Sequence, residues 1–177
     1  NVVWLALAHY QFETIHPLLD GNGRVGRILI ELMLISRGLL PRVALGISGF
    51  IEANRADYYQ HLQGVRERGE IDSWIEFFAK AVAVQATGSF ELLKRLTQLR
   101  AKYTQLLGAT ELADCLIRNP KPTVAKVMQE LGVSQPTASG YLRKAERLGI
   151  ARSLGQSGKG RKERWEITEV WSLIQAL

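Results

Sequence analysis

Between His16 and Arg27 the chain sets a base, an acid, closely spaced glycines and two arginines into one short stretch, and that stretch limits what the rest can fold into. Pro17 disfavours the helical region for His16, so the apolar segment upstream has to stop there and present the imidazole in a loop. Gly21 and Gly23 bracket Asn22 and leave the backbone bare, so that consecutive N–H groups can close round an anion. From Arg24 to Ile35 apolar residues recur at helical spacing, which predicts a helix beginning directly after Gly23. A glycine-bracketed loop feeding a helix N-terminus is a phosphate site. Arg24 and Arg27 share one face of the first turn, where cations oppose the helix dipole. Cations placed where anions are preferred point to a multiply charged anionic ligand. Asp20 would be repelled by bound phosphate unless a divalent cation lay between them, and Mg²⁺ takes one or two carboxylates plus phosphate oxygens. An imidazole such as that of His16 can accept a proton from an incoming hydroxyl at neutral pH. Together these residues read as a site for phosphate-ester transfer.

Two blander readings compete. Gly21, Gly23 and Gly26 also match the G-x-G-x-x-G spacing of dinucleotide-binding folds, which requires a strand before it and an acid roughly 20 residues after it. Upstream, Trp4 to Ile15 has helical spacing, and Arg37 to Ile51 contains no acid, so the nicotinamide reading is disfavoured. A role for His16 and Asp20 as mere caps of the next helix leaves Arg24, Arg27 and both loop glycines without a function.

The stretch His16-Pro17-Leu18-Leu19-Asp20-Gly21-Asn22-Gly23-Arg24-Val25-Gly26-Arg27 resembles the active-site motif of the Fic-domain family, His-Pro-Phe-x-Asp/Glu-Gly-Asn-Gly-Arg-x-x-Arg. Phe12-Glu13-Thr14-Ile15 before it is similar too. Leu18 stands where the family has Phe, a smaller apolar anchor that removes no chemistry. Ser48 to Leu62 resembles the family's next helix, whose tyrosines, here Tyr58 and Tyr59, border the adenine pocket. The resemblance runs from Asn1 to about Val84.

This resemblance implies protein adenylylation, in which AMP moves from ATP to a hydroxyl side chain, Ser, Thr or Tyr, of a target protein or of the enzyme itself. Carried over by position, His16 deprotonates the hydroxyl and Asp20 holds Mg²⁺ on the phosphates. Gly21, Asn22, Gly23 and Gly26 form the phosphate cradle, with Asn22 and Gly23 binding oxygens through side chain and backbone. Arg24 and Arg27 neutralise the leaving phosphates. Such a reaction needs little beyond positioning and charge stabilisation. Family members also carry a target-aligning β-hairpin, and often a Ser/Thr-x-x-x-Glu inhibitory helix, N-terminal to this point. The chain opens at Asn1 inside a helix, which reads as the C-terminal part of a longer protein. Ser48 to Glu52 has the inhibitory outline, but Ala53 follows where that motif wants Gly or Asn.

The 177 residues, 46% hydrophobic, suffice for two small domains. No apolar run approaches the ~18 residues of a membrane span, and no secretory signal is visible at the start. The single cysteine, Cys115, excludes an internal disulfide and suits a reducing cytoplasm; its apolar neighbours make it a buried packing residue. His9 is expected to be a hydrogen-bonded structural residue and His61 to be solvated or in nearby packing.

Trp74, Phe77, Phe78, Ala81 and Val82 should close the first core. Ala86 to Ser89 reads as a short break. Leu92, Leu96, Leu99, Tyr103 and Leu106 then repeat at heptad-like spacing, which fits a bridge between domains, a seam in a homodimer, or a cover for the first core. The expected division is 1–86 for the Fic part, 87–107 for a connecting helix and 108–177 for a last module. In that module Thr123 to Leu131 reads as a short helix and Gly132-Val133 as a turn. Ser134 reads as the N-cap of a helix over 135–148, which Pro136 tolerates in its first turn. Residues 149–154 and 163–167 read as strands. The whole is similar to a winged helix-turn-helix domain. From Arg143 to Arg164 basic residues outnumber acids by the chain's entire formal charge of +6. Lys159, Arg161 and Lys162 would then touch DNA phosphates, while Gln135, Thr137, Ser139 and Arg143 would face base edges. Winged helices also serve as dimerisation or protein-docking modules, and basic wings can be merely solvated.

The expectation is a mainly α protein, a partial Fic-type helical bundle followed by a winged helix-turn-helix with a small β-hairpin wing, using ATP and Mg²⁺ in the cytoplasm. The alternative is a DNA-binding transcriptional regulator whose Fic part senses nucleotide or is vestigial.

Overall fold

The apolar repeats of the first ninety residues fold as helices round one aromatic centre. A computed structural model describes residues 2–42, 44–157 and 162–175. The chain divides into two units, Asn1–Glu91 and Leu92–Leu177. In the first, helices α1 (Val2–Ile15), α2 (Asn22–Ser36), α3 (Ser48–Ala53), α4 (Arg55–Arg68) and the opening part of α5 (Ile71–Leu107) enclose Leu5, Ala6, Ile30, Leu34, Tyr58, Trp74 and Phe78. Trp74, fully buried, donates its indole N–H to the Ala6 carbonyl at 2.9 Å, so the largest side chain of this core leaves no unmet polar atom. Glu31 is buried on α2. Its carboxylate accepts the backbone N–H groups of Ala44, Leu45 and Gly46 at 3.2, 3.2 and 2.7 Å, tying the segment after α2 to that helix.

Two sequence expectations are corrected. Helix α2 begins at Asn22, not after Gly23, because Gly21 in the left-handed region (φ 83°) already supplies the turn. The break expected over 86–89 does not exist, since α5 runs unbroken through it and the division between units falls at Glu91/Leu92. Within α5 the Thr87 hydroxyl donates to the Ala83 carbonyl at 2.9 Å, and a Cβ at Gly88 would meet nothing within 4 Å.

In the second unit, α6 (Thr110–Arg118), α7 (Val124–Leu131), α8 (Gln135–Arg147) and α9 (Thr168–Gln175) accompany one antiparallel hairpin, β1 (Ala151–Ser157) with β2 (Lys162–Ile167). The core holds Tyr103, Leu112, Cys115, Leu116, Val127, Leu142, Trp165 and Ile167. Thr123 caps α7 by accepting the Lys126 N–H at 3.2 Å, and Gly132 (φ 63°) ends it. Ser134 stands at the N-cap of α8, yet its hydroxyl bonds the Thr137 hydroxyl at 2.9 Å instead of a backbone N–H. Strand β1 starts later and runs further than expected, because a bulge between Ser153 and Gln156 lets the ladder resume at Gln156↔Glu163. Backbone bonds from Trp165 to Pro122 and from Ile167 to Pro120 tie β2 to the segment before α7. No helix among the described residues is long and apolar enough to cross a membrane.

Candidate active site

Helix α1 ends where Pro17 demands. His16 leaves the helix with φ 49°, the left-handed region, and keeps its backbone N–H on the Phe12 carbonyl at 3.0 Å. That backbone conformation is uncommon for a residue with a side chain. It puts the exposed imidazole at the head of the loop, with Nδ1 3.3 Å from the Glu13 carbonyl oxygen. That contact suits the tautomer with its proton on Nδ1, in which Nε2 is the free acceptor.

The loop is held from inside by Asn22. Its side chain is buried, accepts the Leu18 N–H at 2.9 Å and donates to the Leu18 carbonyl at 2.6 Å. The Asn22 amide expected to meet phosphate is therefore occupied by the chain itself, and what this residue offers a ligand is its backbone N–H in the first turn of α2. Asp20 is almost wholly exposed. Its carboxylate accepts the Gly21 N–H at 2.7 Å and lies 3.5 Å from an Arg24 guanidinium nitrogen. Arg27 donates from Nε to the Ser48 hydroxyl at 3.1 Å.

These groups meet in one cleft of about 320 Å³, lined among others by His16, Asp20, Gly21, Gly23, Arg24 and Arg27. Tyr58 and Tyr59 form part of its wall, together with Glu52 and Arg55 at the junction of α3 and α4. A second cleft of about 240 Å³ continues past His16 and Tyr59 along Tyr10, Glu13, Leu62 and Arg66. Sequence reasoning missed Glu52 and Arg55 as cleft residues. A signal was present in Arg55, a cation at the first position of a helix, the same anomaly that singled out Arg24.

Gly26, counted with the cradle, lies elsewhere. It is buried in the contact of α2 with α1, where a methyl group would strike the Glu13 carboxylate and come within 3.1 Å of both the His9 and Phe12 rings. Its bareness serves helix approach, not a ligand. Tyr58 divides its role, because it is buried and its hydroxyl lies 2.9 Å from His9 Nε2. Burial pushes the Tyr58 hydroxyl pKa well up and lowers that of His9 to about 4, so both are neutral at pH 7. Burial also raises the Glu13 carboxyl, against the pull of His16 and Arg27.

Among the described residues no group of three His, Cys, Asp or Glu side chains converges as a metal cage. The exposed Asp20 carboxylate in the cleft still suits Mg²⁺, which keeps most of its ligands as water and phosphate oxygens.

In the second unit Gln135, Ser139 and Arg143 recur every fourth residue along α8. At 100° per residue Thr137 falls on the opposite flank, with its hydroxyl engaged by Ser134. The four residues expected on one reading face are therefore not on one face. The outermost line of α8 instead runs through Pro136, Gly140, Arg143 and Arg147, all exposed. Lys159 and Arg161 lie outside the described residues, as does the side chain of Lys162 in β2.

Residues 2–34 match the Fic/DOC family, a range that spans α1, the loop and most of α2. Over 130 residues, 71% of this chain, it is 28% identical to a protein of Drosophila willistoni named protein adenylyltransferase Fic, of which it covers 24%. The Aedes aegypti protein of the same name is 36% identical over 78 residues, 44% of this chain and 14% of the relative. Protein adenylyltransferase fic-1 of Caenorhabditis briggsae is 36% identical over 75 residues, 42% of this chain and 13% of the relative. The chain thus spans a quarter or less of the length of these relatives. The matched range supplies His16, Asp20, the loop glycines, Arg24 and Arg27 of the cleft, while Glu52, Arg55, Tyr58 and Tyr59 on its wall lie beyond that range.

Proposed function

We propose that the first unit is the catalytic part of a protein adenylyltransferase, transferring AMP from ATP to a hydroxyl side chain of a protein in the cytoplasm. The observation that carries this reading is the convergence of His16, Asp20, Arg24 and Arg27 on the N-terminus of α2 behind a left-handed glycine. The triphosphate lies across the free N–H groups of the first turn, where the helix dipole and bare Gly23 admit an anion. The nucleoside follows the second cleft past Tyr59. His16 Nε2 takes the proton of the incoming hydroxyl, whose oxygen bonds to the α-phosphorus as the bond to the β-phosphate oxygen breaks. Pyrophosphate leaves with its charge neutralised by Arg24 and Arg27. Asp20 would hold Mg²⁺, which when bound supplies charge neutralisation on the phosphates.

The test is transfer of label from α-³²P-ATP. The full-length protein should label itself or a partner, and His16→Ala should abolish that labelling. Unchanged labelling in His16→Ala would remove this residue from the mechanism.

A second activity is supported by α7, the Gly132 turn, α8 and the hairpin, which together have the element order of a winged helix-turn-helix. We propose that this module binds DNA, with Arg143 and Arg147 on the exposed line of α8 entering the groove. The observation favouring it is the cationic character of the one α8 face that the core leaves open.

A further inference from the structure

The three arginines that line the cleft each have a side-chain partner: Arg24 has Asp20 at 3.5 Å, Arg27 has Ser48 at 3.1 Å and Arg55 has Glu52 at 3.8 Å. The first two arginines belong to the motif and the third does not. Its placement is nevertheless built. Asn54 turns the corner between α3 and α4, with its backbone N–H and its side-chain amide both on the Phe50 carbonyl, at 3.0 and 2.8 Å. That corner sends Glu52 and Arg55 from two different helices into the same cleft. One turn later Tyr59 offers its ring 5.8 Å from the guanidinium carbon.

We propose that Arg55 is a third anion-binding side chain of this cleft and that Glu52 is its internal counter-ion, which the nucleotide phosphates displace. The pair is weak by construction. Its side chains are 64% and 73% exposed, and exposed pairs of this kind are readily broken. A phosphate group, with two oxygens for the guanidinium fork, offers a shorter, bidentate, more highly charged partner than a carboxylate at 3.8 Å. Arg55 also stands at the first position of α4, where the helix dipole disfavours a cation and an arriving anion relieves the conflict. Glu52 has the opposite effect, since its carboxylate engages Arg55 and holds the guanidinium away from the phosphates. The two residues should therefore act on affinity with opposite signs, and Glu52 should act through Arg55. This inference rests on the phosphate-site reading above, from which the experiment separates it.

The experiment is calorimetric titration of the full chain with ATP and Mg²⁺, carrying His16→Ala so that bound nucleotide is not consumed. Arg55→Ala should raise the Kd about three- to tenfold, as expected when one partly exposed charge-assisted hydrogen bond is removed, with Arg55→Lys in between. Glu52→Gln should lower the Kd about two- to fivefold, and in an Arg55→Ala background it should do nothing. The proposal is overturned if either single variant leaves the Kd unchanged. Tighter binding by Glu52→Gln without Arg55 also overturns it, since that result means plain repulsion and no pairing. No nucleotide binding by any variant overturns the phosphate site itself.

Discussion

The amide of Asn22 closes on both backbone groups of Leu18, taking its N–H at 2.9 Å and giving to its carbonyl at 2.6 Å. A loop that must expose His16, Asp20 and the start of α2 cannot use its own backbone ladder for rigidity, and this one buried side chain supplies it. Asn22→Ala would leave the Leu18 groups without their partner and should cost about 1–3 kcal/mol of stability. Asn22→Asp should do no better, since a carboxylate cannot donate to the carbonyl. Urea midpoints together with ATP titration check this, with both stability and affinity expected to fall.

Gly23 and Gly26 are close neighbours in the motif and should respond oppositely to a methyl group. At Gly26 the new Cβ meets two packed rings, so Gly26→Ala should lose about 1–2 kcal/mol net, overpacking exceeding the gain in helix propensity. At Gly23 the nearest atom is the mobile end of Arg27 at 3.3 Å, so Gly23→Ala should keep or slightly raise the melting temperature. Its cost should appear in nucleotide affinity instead, because the methyl group stands where a phosphate approaches. Melting curves and ATP titration of the two variants separate packing from binding.

His9 makes stability depend on pH. Its folded pKa of about 4 lies below the ordinary 6.5, so the unfolded chain binds the extra proton between those values and stability rises with pH there. The contribution is complete above about 6.5 and is lost as pH falls toward 4, to the extent of about 3 kcal/mol. Glu13, whose pKa is raised by burial, works in the opposite sense at the acidic end. His9→Gln should flatten the pH dependence of the urea midpoint over this window. A slope equal to that of the parent would assign the dependence to other groups.

If α8 enters a DNA groove, Arg143→Ala with Arg147→Ala should weaken filter-retained DNA and make its salt dependence shallower, by about one unit of slope for each phosphate no longer neutralised. Retention unchanged across several salt concentrations would detach the second unit from DNA. Leu142→Ala on the buried face of the same helix should instead cost about 2–5 kcal/mol by opening a cavity.

The local order of the site was legible in the residues themselves. Pro17 stops α1, a helix follows the loop glycines, and Arg24 and Arg27 share a turn, all consequences of backbone sterics and helical period that act over a few residues; that the helix opens already at Asn22, behind a left-handed Gly21, was not legible there. What only the tertiary structure decided is which polar groups remain available. The Asn22 amide, the bareness of Gly26 and the Tyr58 hydroxyl are each taken by a partner that the motif does not reveal: the Leu18 backbone, α1 and His9. The same holds for Arg55 and Glu52, brought to the cleft by the corner at Asn54, and for Thr137, turned to the other flank of α8. A sequence specifies which groups a chain possesses and how its neighbours bend it; burial and long-range contact determine which of those groups are already satisfied and which are left for a ligand.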